Sequence, residues 1–171
     1  MKREYMLHMA SSVVLAAAFQ MVLAQYVRIG TAKPDLVGVV AISYGLLCGP
    51  EAGLVCGLAG GLVLDLASSR LIGLMGVTRA AVGVAAGLAG TKVFKENLLM
   101  TGAVGFVFTF CADMLGALII TLRGPRFGLR PAIEVALSGG LFSLILAPFV
   151  FYMLWRIKVR IDSRQSPVIL E

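Results

Sequence analysis

Ionisable side chains inside long apolar runs carry the most constrained chemistry in this sequence. Asp65, Arg79 and Asp113 each stand among Leu, Val, Ala and Gly, and a charge near a bilayer centre costs at least about 2.5–3.5 kcal/mol on insertion scales. Each therefore needs a partner. Counted along their apolar blocks, Arg79 falls about 12 Å and Asp113 about 14 Å below the same boundary, so an Arg79–Asp113 ion pair between neighbouring spans is the first expectation. Helical side chains lean toward the N-terminus, which leaves Asp65 as the alternative partner of Arg79. Such a network either locks helices together or carries protons or substrate. Glu51 and Glu134 stand at helix starts, where carboxylates offset the helix dipole, so no second acidic relay is expected at mid-depth. The locking role is favoured.

Enzyme motifs are missing from the chain. There is no HExxH, no GxSxG and no Walker loop, and the single histidine, His8, reads as an interfacial residue at one end of the first apolar block. A carboxylate dyad of Asp65 and Asp113 would share a proton poorly beside Arg79, which favours the ionised forms. Cys48, Cys56 and Cys111 form no CxxC and read as small core residues. No catalytic, cofactor-binding or metal-binding residue is expected.

The elements that position these residues follow from composition. The 171 residues are 59% hydrophobic and 14% charged, against about 25% charged in soluble domains, which excludes an ordinary soluble domain and requires the lipid bilayer as solvent. The net charge of +6 does not point to nucleic acid, because Lys and Arg cluster at block ends rather than along a groove. Apolar blocks occupy residues 5–27, 35–47, 51–66, 71–91, 98–122 and 133–155, each near or below the 20 or so helical residues a membrane requires. The expectation is an all-α polytopic membrane protein of six transmembrane helices. Residues 1–160 form a single transmembrane domain, and residues 161–171 form a basic, polar cytoplasmic tail.

The first block runs beyond the small residues Ala16, Ala17 and Ala18, so it reads as a retained span and not a cleaved signal. Gly49 and Pro50 split the second and third blocks into a hairpin. Its arms, about 20 and 24 Å long, are short for a bilayer and must tilt, thin the lipid or be enclosed by neighbours. Pro131 suits the first turn of the last helix, and Pro148 should kink it. Gly49, Gly53, Gly57 and Gly61 recur every four residues, and Ala81, Ala85 and Ala89 repeat the spacing. Strips of this kind let a second backbone approach closely, from within the chain or from a partner span. With Lys2, Arg3, Lys92, Lys95, Arg156, Lys158, Arg160 and Arg164 on one side and Arg28, Lys33, Arg70, Arg123, Arg126 and Arg130 on the other, both termini are expected in the cytoplasm.

Taken together, Pro34-Asp35-Leu36, the run to Gly49-Pro50, then Gly53, Gly57, Leu62, Leu64-Asp65-Leu66 and Gly73 resemble the central hairpin of the MreD family of rod shape-determining proteins. Asp113, Arg130-Pro131 and Pro148 before a basic tail are similar to the same family. Two residues after Gly73 the family often has a basic or imidazole side chain, where this chain has Met75, with Arg79 one turn further on. The resemblance implies a non-enzymatic inner-membrane scaffold of the bacterial cell elongation complex. Such a subunit binds MreC and couples cytoplasmic MreB to peptidoglycan synthesis by RodA and its transpeptidase. It also implies a fold similar to the substrate-binding subunits of vitamin transporters. The competing reading is such a transporter subunit, but the first span lacks the Ala-x-x-x-Ala docking motif common in those proteins.

Overall fold

The computed structural model describes residues 3–26, 34–68, 73–90, 98–122 and 129–165. These form helices α1 (Arg3–Tyr26), α2 (Leu36–Cys48), α3 (Pro50–Ser68), α4 (Leu74–Ala89), α5 (Leu98–Leu122) and α6 (Leu129–Gln165). Four of them, α1, α3, α5 and α6, are long and apolar enough to cross a membrane. The other two are shorter, with 13 residues in α2 and 16 in α4: α2 is short as expected, whereas α3, the other hairpin arm expected to be short, is among the long helices, and α4 is shorter than its expected block.

Helix α2 lies at the centre because its sequence leaves it no polar face. Every residue from Val37 to Leu46 is buried, as expected of a helix that is apolar all round, and α1, α3, α4 and α6 pack around it. Enclosure by neighbours is therefore how the short arm α2 is accommodated. The turn to α3 is made by Gly49, whose φ of 98° a side chain would strain, with its N–H bonded to the Gly45 carbonyl at 2.9 Å. Pro50 then opens α3, where its missing N–H is not required.

The glycines of α3 are occupied from within the chain. A Cβ added at Gly57 would stand 2.5 Å from the Arg79 carbonyl oxygen, and one at Gly61 would stand 2.5 Å from Gly76 Cα. Gly53 and Gly83 face each other so closely that a Cβ on Gly53 would meet the Gly83 carbonyl carbon at 2.5 Å. Backbone cannot retreat as a flexible side chain can. Gly53→Ala is expected to destabilise the protein in detergent by about 1–3 kcal/mol. Gly116→Ala, whose Cβ would meet only Thr78 Cγ2 at 3.9 Å, should be neutral or stabilising by up to about 1 kcal/mol. Thermal unfolding of the two variants checks the contrast.

Helices α5 and α6 pair along a second seam. Thr109 donates to Ser143 Oγ at 2.8 Å, and a Cβ on Gly102 would lie 2.8 Å from the Leu144 carbonyl oxygen. That carbonyl is the one deprived of its helical donor by Pro148, four residues on, and the absence of a side chain at Gly102 lets α5 approach it. Large apolar side chains such as Phe19, Leu99, Leu118, Ile145 and Phe149 remain exposed on α1, α5 and α6, forming the surface that faces lipid.

Several boundaries differ from the sequence expectation. Helix α6 starts at Leu129 and continues unbroken past Trp155 to Gln165, so the helix carries its basic end well beyond the apolar block. Glu134 consequently lies more than one turn inside α6, 3.5 Å from Arg130 in an exposed i,i+4 pair, and not at a helix start. Helix α4 covers only residues 74–89 of the expected 71–91. Of the cysteines, only Cys56 is in the core, whereas Cys48 and Cys111 are exposed.

Candidate functional site

A short helix inside a bundle has a problem at its N-terminus. Its first N–H groups end below the surface, where water cannot satisfy them. Both short helices solve this with a carboxylate from the chain. Asp35 is the N-cap of α2, its Oδ1 accepting from the Gly38 N–H at 3.0 Å. Gly38 has room for this only as glycine, because a Cβ there would come within 2.8 Å of the Asp35 carboxyl carbon. The Val37 N–H is taken by Gln20 Oε1 of α1 at 2.8 Å.

Asp65, near the end of α3, does the same for α4 across the chain. Its Oδ2 accepts from the N–H groups of Gly73 at 2.9 Å and Gly76 at 3.1 Å, and its Oδ1 from that of Met75 at 3.2 Å. Gly73 is the N-cap with φ 94°, a conformation that turns its N–H toward Asp65 and that glycine adopts without steric cost.

Arg79 joins the two caps into one knot. Its Nε donates to Asp35 Oδ1 at 3.0 Å, and both residues are buried, at 8% and 5% exposure. The expected Arg79–Asp113 pair is thereby corrected: the partner of Arg79 is Asp35, and the alternative partner Asp65 is engaged with the backbone of α4. Matching depths along two helices do not decide which way a side chain turns, and Asp35 reaches Arg79 from the enclosed central helix. Asp113 sits on α5 against α6, its Oδ2 2.5 Å from where a Cβ on Gly139 would stand.

Pro34 is buried beside Asp35, and Pro131 and Pro148 lie within α6. Ala81 and Ala89 are exposed on α4 and Ala85 is half-buried, so the alanine strip, unlike the glycine strip, is left uncovered by the chain. His8 is exposed; its carbonyl lies 3.5 Å from the Tyr44 hydroxyl, which accepts from Ser12 at 2.9 Å. Lys2, Arg28, Lys33, Arg70, Lys92, Lys95, Arg123 and Arg126 lie outside the described residues.

Gln20 and Gly38 are the members of the knot that sequence reasoning missed. The available signal was an Asp three residues before a Gly at a helix start, together with a carboxamide inside an otherwise apolar first span. Among the described residues, no buried side-chain N or O lacks a hydrogen-bond partner. No group of three or more His, Cys, Asp or Glu is placed to hold a metal ion among the same residues. What the arrangement does chemically is tie α2 to α4 through an ion pair and α3 to α4 through a shared cap.

Among the described residues the fold is all-helical, with large apolar side chains exposed along α1, α5 and α6 and with Asp35, Asp65 and Arg79 buried between helices, the pattern of an integral membrane protein of the α-helical class. Residues 1–157 of 171 match the family described as rod shape-determining protein MreD. The chain belongs to the MreD family and is a rod-shape-determining membrane protein. Neither a curated protein nor a solved structure matches it.

Proposed function

We propose that this protein is a non-enzymatic scaffold of the bacterial elongation machinery, a multi-pass inner-membrane subunit that binds MreC directly and through it links MreB to peptidoglycan synthesis by RodA and its transpeptidase. The observation that carries the reading is family membership over residues 1–157. All six helices lie at membrane depth in this reading, α2 and α4 sheltered by the long ones, and the basic end of α6 supports a cytoplasmic location for both termini. The transporter alternative has no supporting observation.

The internal use of the glycine strip supports the alanine strip as the face for a partner span. Ala81 and Ala89 are exposed on a helix that presents little bulk, which suits close van der Waals contact in lipid. The Ala81→Leu/Ala89→Leu variant should fold with an unchanged unfolding midpoint yet lose MreC on co-purification. At about 1–3 kcal/mol per overpacked contact, retention falls by roughly tenfold or more. Unchanged retention would exclude this face. Complementation of a rod-shaped bacterium depleted of its own MreD tests the wider role: rods should return with the parent chain and round cells persist with the double variant.

A further inference from the structure

The ends of α2 and α4 that bear their C-termini open into a recess that the knot does not use. It has a volume of about 210 Å³ and is bounded by Leu46 and Leu47 of α2, by Gly90 after α4, and by the α6 segment from Phe151 to Asp162. Two features fix its level in the membrane. Trp155 closes the apolar run of α6, and Arg156 lies 5.5 Å above the ring of Tyr152, the amphipathic pairing expected at the boundary between hydrocarbon and headgroups. The recess is therefore interfacial.

Its walls carry charges of both signs. Lys158 donates to the Leu47 carbonyl at the end of α2, and an ammonium has three donors, so two remain. Asp162 is exposed and accepts from the Tyr5 hydroxyl through Oδ1, while Oδ2 has no hydrogen bond among the described residues. Helix C-termini add their own negative character, because the last carbonyls of α2 and α4 have no helical donors. Asp162 and the helix-end carbonyls favour a cation with N–H donors, and Lys158, one turn before Asp162 on the same helix, favours an anion.

We propose that this recess binds the headgroup of a zwitterionic aminophospholipid, its primary ammonium directed to Asp162 and the helix-end carbonyls and its phosphate to Lys158. A partner helix does not fit, since an α-helix with side chains is about 10 Å across and a recess of about 210 Å³ admits only a group the size of about seven waters, at about 30 Å³ each. The acyl chains follow the exposed apolar surface of α6 at Phe149 and Tyr152. A quaternary choline, having no N–H, cannot bond to Asp162 or the carbonyls, and an anionic lipid without an ammonium leaves that wall unmatched.

The test is native mass spectrometry of the full chain, delipidated in detergent and offered phosphatidylethanolamine, phosphatidylcholine or phosphatidylglycerol of matched acyl chains. Phosphatidylethanolamine adducts are expected to exceed those of phosphatidylcholine by at least about threefold, a modest margin on the tenfold-per-1.4 kcal/mol scale. Asp162→Asn should erase that difference, and Lys158→Gln should weaken all three lipids together. Val159→Trp, which fills the recess from its exposed rim, gives an independent arm and should remove the adducts even if Asp162→Asn fails to fold. Equal retention of phosphatidylethanolamine and phosphatidylcholine by the parent chain would overturn the proposal. So would a phosphatidylglycerol preference, or adducts that survive Val159→Trp.

Discussion

Arg79→Met should destabilise the protein by about 3–5 kcal/mol, the cost of breaking a buried pair and stranding one charge. The stranded group is Asp35, 5% exposed and left, among the described residues, with the Gly38 N–H as the hydrogen-bond donor to its side chain. Asp35→Asn alone strands the guanidinium instead. The double variant Asp35→Asn/Arg79→Met removes both charges and should lose less than the sum of the singles, because coupling energy appears only between groups that interact. Chemical or thermal unfolding in one detergent supplies all four corners of the cycle. The same cycle built on Asp113 and Arg79 should give the smaller coupling, since the Arg79 ion pair runs to Asp35. A larger coupling to Asp113 would reverse the assignment.

Asp65→Ala should be nearly as damaging, at about 3 kcal/mol or more, since it orphans three N–H groups at the start of α4 and each buried unsatisfied donor costs about 1–3 kcal/mol. Asp65→Asn should rescue only part of this. A carboxamide has one acceptor oxygen where the carboxylate offers two, and both Asp65 oxygens are in use. Loss of hydrogen-exchange protection should concentrate in residues 73–79, the first turns of α4, with the α5–α6 seam less affected. Uniform loss across the bundle would mean that Asp65 supports the fold globally and not as a local cap.

Helix positions were legible where apolar blocks end in unambiguous breaks. The block 98–122 coincides with α5, and Gly49-Pro50 separates α2 from α3 as the residue types require. Helix α6 runs past its apolar block because Arg156, Lys158, Arg160, Asp162 and Arg164 alternate with Ile157, Val159 and Ile161, so the helix continues while its hydropathy falls. Partner choice inside the membrane was only half legible. Burial cost identifies Arg79 as a residue that must be paired, but depth along an axis says nothing about lateral neighbours. In the sequence, Asp35 stands out only as part of a family-like motif. Its double duty as cap and counter-ion depends on α2 lying in the centre, which no local pattern states. Of the glycine strip, Gly53, Gly57 and Gly61 face the backbone of α4, whereas a Cβ at Gly49 would meet nothing within 4 Å, because that residue serves the turn.

The proposed role has this bundle holding neighbours and not converting or carrying a small molecule. Gentle solubilisation of membranes containing the tagged chain, followed by joint analysis of the eluate for MreC and for small molecules, tests it most directly. MreC is expected in near-equal amount, with no tightly held metabolite beyond phospholipid. A stoichiometric non-lipid metabolite, with MreC absent, would contradict that role.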